Sequence, residues 1–555
     1  ATGIKLLPGE KVRGQAGGVR LGGTGRVMGG VDGSLVCTNF RLAFRPADVR
    51  ANQDSGQSLL LSDNDVALTC IDRVVAASST KSKVLRPRQR LKFQPEEVTF
   101  HCKDFRILRF QFDADSRARE IVSLVAQSFQ PTCLHDLFAF HFLQEPSLVP
   151  GDGHAGGAAG WRTRTFESTR DWQSELERTS AQGWRLSLAN QRFEMSPSLA
   201  QCVVVPRPIS ETDIKTAFAH FTDGRIPRWQ WHHPRGGDLL RMSQFQSHSC
   251  PDREAVSKLE DLMYGNHQKL VIADLTDDLP NPTEIQAAYV RLRSLCVAES
   301  PATLKESDDK WLSTLETTRW LEFVRLCLRK AGVLSALLAN HSLTVILQES
   351  DDRDLSCLIS SLLQVMLDPE CRTLAGFQAL IQKEWVVGGH RFTDRLNPLQ
   401  HSHKDESPIF LLFLDCVWQL VETDPTLFEF TDTYLIVLQD SSQLLLFGTF
   451  LFNSQRERER SQQARPPEVP PATLGFGGSR ASLRSSVKPE RVVLKGGYFA
   501  REEAKRPLPS VWDWLLQMAS EHRTLLYSPL YRPEAPTQNG TPELDTPQQV
   551  SVRSL

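Results

Sequence analysis

The sequence predicts a multidomain α+β protein, with a β-rich N-terminal unit followed by a larger α/β unit. Two observations carry this. Residues 1–130 hold short runs in which apolar and polar residues alternate, the period of a half-buried strand, closed by one segment of helical period. From about 167 to 453, short apolar strand runs mix with longer helix-period runs, as in layered α/β domains. A length of 555 residues is enough for two or three domains with sizeable cores.

Within the first unit, "GSLVCTNFRLAF" (33–44) reads as one half-buried strand. "EVTFHCKDFRILRFQF" (97–112) reads as two strands about a Lys103–Asp104 turn. "SRAREIVSLVAQSF" (116–129) places Ile121, Leu124, Val125 and Phe129 on one helix face. Strands closed by one amphipathic helix suggest a small pleckstrin-like barrel over 1–145. Residues 146–166, with "GDGHAGGAAG", read as a flexible linker. The unit at 167–453 opens with "DWQSELERTSAQGW", a helix expected to end near Gly183. "QCVVVP" and "KLVIADL" are short strands. "DDKWLSTLETTRWLEFVRLCLRKAGVLSALLANH" is one long helix with Trp311, Leu312, Leu315, Trp320, Val324 and Leu328 on buried faces. "IFLLFLDCVWQLV" (409–421) is the longest apolar run, too short to span a bilayer and broken by Asp415, so it is expected to be a buried helix. Residues 454–508 turn basic and rich in Pro and Ser, the composition of disorder. An amphipathic helix is expected within 509–532, from "SVWDWLLQMASEHRTLLY", and a disordered tail over 533–555.

A net charge of −2 gives no global attraction to nucleic acid, and none is expected as a partner. The 11 cysteines are scattered without a CxxC pair, pointing to reduced thiols and a cytoplasmic or nuclear setting. The N-terminus shows no signal-peptide core.

One stretch raises a chemical question. "VILQESDDRDLSCLISSLL" (345–363) reads as buried strand, polar turn and apolar helix. Enzymes hold phosphate in that layout, at a helix N-terminus. A cysteine phosphatase needs Cys-x5-Arg there: a thiolate activated by loop N–H groups and the helix dipole, and a guanidinium that grips two phosphate oxygens. This turn instead carries Glu349, Asp351, Asp352 and Asp354. None of the eleven cysteines has an arginine six residues on. Taken alone, an acid-rich turn before an apolar helix is an ordinary N-terminal cap.

The region resembles the phosphatase domain of the myotubularin family of phosphoinositide 3-phosphatases, whose loop reads HCSDGWDRT. "QESDDRDLS" takes its place without a gap. Gln348 stands at the His, Glu349 at the nucleophilic Cys, and Ser350 and Asp351 match. Asp352 and Arg353 replace Gly and Trp, Asp354 matches, and Leu355 replaces the Arg. "WRLSLANQRFEM", "GRIPRWQWHHP", "KWLSTLETTRWL" and "LDPECRTLAGFQALIQKEWVVGGHRFTDR" are similar to flanking family stretches, and "LVCTNFRLAF" to the family's N-terminal GRAM domain. The resemblance implies a pleckstrin-like GRAM domain followed by a tyrosine-phosphatase-like α/β domain over 167–453. It implies membership of the catalytically inactive branch, with no catalytic residues and no cofactor. It also implies an adaptor role toward active myotubularin phosphatases, peripheral at phosphoinositide membranes.

On this reading Glu349 places charge where phosphate would bind. Like charges about 4 Å apart repel by roughly 4 kcal/mol at an effective dielectric of 20. Leu355 removes the cation that would offset the repulsion, and Asp351 and Asp354 become helix N-terminal charges. Glu349→Cys with Leu355→Arg is expected to give at most trace activity, and adding Asp352→Gly and Arg353→Trp to do better. Leu355 is expected to be buried.

Other candidates are weaker. Lys81, Lys83, Arg86, Arg88, Arg90 and Lys92 could face anionic lipid or form a solvated loop. Cys133, His135 and His141 fit no common zinc spacing, so no metal is expected. His232 and His233 read as structural. Ser482, Ser485 and Ser486 sit near arginines in a phosphorylatable tract.

Overall fold

The structure is a computed structural model. It describes residues 4–22, 30–47, 61, 64–114, 116–142, 163–246, 257, 260–261, 269–297, 310–400, 402–463, 508–513 and 520–533. The GGA-rich centre of the expected linker, the serine tract at 480–487 and the expected C-terminal tail from 534 lie outside them.

The N-terminal unit is an antiparallel sheet of eight strands: β1 (Val12–Leu21), β2 (Val31–Thr38), β3 (Arg41–Pro46), β4 (Asp65–Ala67), β5 (Ile71–Ala77), β6 (Ser82–Leu85), β7 (Glu97–Cys102) and β8 (Ile107–Phe112), in the order β4-β3-β2-β1-β8-β7-β5-β6. Val98, Phe100, Leu108 and Phe110 point inward at alternate positions, as the period-2 pattern requires. Helix α1 (Ala118–Ser128) lays Ile121, Val122 and Val125 on this core. The stretch 33–44 is a hairpin rather than one strand. Thr38 makes the turn: its hydroxyl accepts from the Phe40 and Arg41 N–H groups at 3.0 and 2.9 Å.

The second unit is built on a mixed sheet, β11 (Arg228–His232), β12 (Asp238–Ser243), β14 (Thr344–Glu349) and β13 (Leu270–Asp274), with β12 and β13 parallel to the central β14. A separate pair, β9 (Trp184–Ser187) and β10 (Val203–Pro206), lies beside it. The helices are α2 (Thr169–Arg178), α3 (Glu211–Ala217), α4 (Pro282–Cys296), α5 (Trp311–Thr317), α6 (Trp320–His341), α7 (Leu355–Leu367), α8 (Leu374–Ile381), α9 (Phe392–Leu396), α10 (Ile409–Thr423), α11 (Asp432–Leu444) and α12 (Gln455–Gln463). Every residue of α7 is buried, including Ser356, Ser360, Ser361 and Gln364 beside its apolar face. Helix α10 is the buried helix expected over 409–421. Among the described residues no helix is long and apolar enough to cross a membrane.

Five boundaries depart from expectation. The first helix of this unit stops at Arg178, because Ser180 turns left-handed at φ 57°. The long helix is broken: Arg319, at φ 66°, separates α5 from α6. Leu312 is consequently 78% exposed, and nothing on α5 is fully buried. The end of the expected linker is part of the domain. Phe166 packs against Trp172 at 5.0 Å between ring centres, and Thr163 bonds Gln378 at 2.8 Å. The start of the expected disordered segment is α12, held by Gln455 on the Gln201 N–H and by an Arg458–Glu167 ion pair. Last, of the helix expected over 510–527, residues 514–519 lie outside the described residues, and Ser520–Leu526 forms a 3-10 turn.

Candidate functional site

Strand β14 ends at Glu349, and α7 begins six residues later, so the turn 350–354 lies at the carboxyl end of the parallel strands. This is where α/β sheets bind ligands. The site is filled by the chain itself. One Glu349 carboxylate oxygen accepts the N–H of Leu355 at 2.9 Å; the other accepts the N–H groups of Asp354 and Ser356 at 3.1 and 3.0 Å and the Ser356 hydroxyl at 3.0 Å. These are the free N–H groups that a helix start offers to an anion. Burial raises the Glu349 carboxyl to about 7, with Asp354 and Asp351 adding to the rise and the Ser356 and Leu355 N–H groups opposing it.

The three aspartates of the turn are paired with arginines, whereas Glu349 meets only N–H and hydroxyl donors. Asp352 is fully buried beneath the loop. Its carboxylate accepts from Arg241 Nε at 2.9 Å, from Arg225 Nε at 3.2 Å and from Arg228, while Arg225 and Arg241 also hold its carbonyl. Burial would raise this carboxyl, but Arg228, Arg241 and Arg225 together hold it below the ordinary carboxylate range. Asp352 therefore does not add charge to the cradle. It occupies φ 54°, a left-handed turn that aspartate tolerates better than most residues.

Asp354 precedes α7 and is bound by Arg391 at 2.8 Å, by Arg395 and by His390 at 3.2 Å. These outweigh burial and keep it well below the usual carboxylate range. Asp351 also meets Arg391, at 2.9 Å. Arg353 turns away to the Gly389 and Asn453 carbonyls. Gln348 is a half-buried β14 residue opposite Met242 and Asp274, and Ser350 is exposed.

Leu355 is 3% exposed on the first turn of α7. Leu355→Arg should therefore cost about 1–3 kcal/mol by burying a cation in the core. A melting temperature equal to the wild type would exclude that placement.

Five arginines of this site were not singled out in the sequence, and two of them have a local signal. Arg228 in "RWQW" and Arg241 in "LLRM" stand inside apolar strands, where a cation needs a buried acid. Arg225, Arg391 and Arg395 lie in turns and a short helix whose surroundings only the fold supplies.

The other candidates stay apart from this site. Lys81, Arg86, Arg88, Arg90 and Lys92 are exposed and Lys83 half-buried, on edge strand β6 and the turn after it. Cys133, His135 and His141 do not converge: His135 packs against Phe140, tilted, at 4.7 Å between ring centres, and Cys133 is exposed. Among the described residues the group whose ligand atoms do converge is Glu349, Asp351 and Asp354. Those carboxylates are taken up by N–H groups and arginines, as above. His232 binds Asp238 at 2.9 Å, and His233 accepts the Arg235 N–H at 3.1 Å.

Comparison with known proteins matches the myotubularin-like phosphatase domain over residues 138–278 and 267–459. The chain is 39% identical over 548 residues to mouse myotubularin-related protein 10, covering 95% of this chain and 67% of that protein. It is 37% identical to human myotubularin-related protein 11, covering 96% and 70%, and 34% identical to mouse myotubularin-related protein 12, covering 99% and 69%. It thus spans about two thirds of the length of each.

Proposed function

Because the chain belongs to the myotubularin-related family, we propose that it is a member whose phosphatase-like domain turns over no phosphoester and serves as an adaptor or regulatory subunit for active phosphoinositide 3-phosphatases. The observation behind this is the Glu349 carboxylate seated on the N–H groups of Asp354, Leu355 and Ser356. An incoming phosphate would have to displace it from the donors that would otherwise hold the phosphate. Both of its oxygens are engaged as acceptors, so neither is poised to attack phosphorus. Leu355 supplies no fork to orient a phosphate. Asp351 and Asp354, which match proton-transfer acids of active relatives by resemblance, are bound to arginines. The eight-stranded sheet with α1 supports reading the N-terminal unit as a pleckstrin-like GRAM domain. The adaptor role itself rests on family membership.

The purified chain should release no phosphate from phosphatidylinositol 3-phosphate or the 3,5-bisphosphate. Turnover above a buffer blank, lost on mutating residues 348–356, would overturn this. Affinity purification of the intact chain should recover an active family phosphatase; recovery of none would count against the adaptor role.

A second reading is direct lipid binding through the N-terminal unit. The cations at 81, 83, 86, 88, 90 and 92 meet no acid among the described residues, and near an anionic bilayer each is worth about 1 kcal/mol. Sedimentation with anionic liposomes, with and without charge reversal across 81–92, separates this reading from the first.

A further inference from the structure

A cavity of about 240 Å³ lies between the N-terminal sheet and the α/β unit; it reaches the loop site only through His390 and Arg395, whose acid is Asp354. The sheet contributes Asp72 and Lys103 to its wall, and the α/β unit contributes Arg293 from α4, Gln400, and Gln439 and Gln443 from α11. Most charges in this wall are paired. Arg293 binds Asp72 at 3.0 Å and the Cys102 carbonyl at 2.9 Å. Glu406 accepts from Asn397 at 2.6 Å and faces His403 at 2.9 Å. Arg395 is held by Asp354.

The exception is Lys103. Its ammonium meets no carboxylate of the described residues within ion-pair distance, although it lies in the field of Asp72, Glu406 and Arg293. Lys103 is half-buried at the cavity wall, and its partial burial pushes its pKa down against the pull of Asp72 and Glu406. Around it the side-chain amides of Gln400, Gln439 and Gln443 make no hydrogen bond within the described chain. An amide offers a donor and an acceptor together, which suits a hydroxyl group that is both. The volume corresponds to about eight waters at ~30 Å³ each, enough for one small ring bearing a phosphate but not for a nucleotide.

We propose that this cavity binds a small polyhydroxylated organic anion of the sugar- or polyol-phosphate class, with the anionic group on Lys103 and the hydroxyls on Gln400, Gln439 and Gln443. The anion supplies the missing counter-ion, and the ligand bridges the two units, since Lys103 belongs to one and the glutamines to the other. The site is independent of whether the Glu349 loop is inactive. The same chemistry could reach it as a free polyol phosphate or as a lipid headgroup.

The experiment is calorimetric titration and thermal unfolding of the full chain with glucose 6-phosphate, inorganic phosphate and free glucose, and in parallel with phosphatidylcholine vesicles carrying a phosphoinositide. Saturable binding of glucose 6-phosphate, at least tenfold weaker in Lys103→Gln, is expected. Gln439→Ala and Gln443→Ala should weaken glucose 6-phosphate but not inorganic phosphate. Should Lys103→Gln fail to fold, Gln400→Ala carries the test, again with a tenfold loss. Lys103-dependent binding of the vesicles alone would support the site and name the lipid headgroup as its source. No saturable binding in either arm, equal binding by Lys103→Gln, or free glucose binding as well as its phosphate would overturn the proposal.

Discussion

Asp352→Gly is expected to destabilise the protein by about 3–5 kcal/mol, because it strips the shared acid from Arg225, Arg228 and Arg241 and leaves buried guanidiniums unpaired. Two effects oppose each other here. Glycine would relieve the left-handed backbone at φ 54°, a gain of about 1 kcal/mol at a residue type that already tolerates it. Losing the counter-ion outweighs that several-fold. Arg241 keeps one further acid, Glu384 at 2.9 Å, whereas Arg228 meets no other among the described residues. Urea unfolding of the purified chain measures the difference, with Asp352→Asn as the partner that keeps shape and removes charge. Both should shift the midpoint strongly downward. An unchanged midpoint for Asp352→Gly would mean that the three arginines do not depend on this carboxylate. The same reasoning reverses the expectation for rebuilding a phosphatase loop. Adding Asp352→Gly to Glu349→Cys and Leu355→Arg should harm the protein rather than improve catalysis.

Glu349→Gln should flatten the dependence of stability on pH. The Glu349 carboxyl rises to about 7 in the fold, from an ordinary value near 4.5. A raised acid contributes stability that is fully present below the unfolded pKa and is lost as pH climbs through the folded one. The window is therefore about pH 4.5 to 7, and the contribution lost across it is about 3 kcal/mol at 1.36 kcal/mol per unit. The amide removes this titration and also loses an acceptor for the three N–H groups, a cost that is the same at every pH. Denaturant unfolding of both proteins at pH 5 and pH 8 separates the two. The wild type should lose more stability than the variant between those values. Parallel losses would show that Glu349 does not titrate in this range.

The layout strand, turn and buried helix was legible in the sequence around Glu349. Its signals are local: an apolar run of strand length, a cluster of acids with turn propensity, and a helix with one apolar face. The absence of the Cys-x5-Arg pair, with Glu349 and Leu355 in its two places, was equally plain. So was the β-rich character of residues 1–130, since alternation is a short-range property.

The state of the loop charges was decided by tertiary structure. Arg225 and Arg241 reach Asp352 across 127 and 111 residues, and no period or composition encodes such a meeting. The same holds for α12. Its sequence "QRERERSQQ" has the polarity of an unfolded tract, and it is helical where Gln201 and Glu167, more than 250 residues earlier in the chain, receive it. Residue types alone established which groups the turn lacks. Where its four carboxylates point depended on packing, because a buried charge settles wherever the fold brings it a partner, and that partner is chosen in space rather than along the chain.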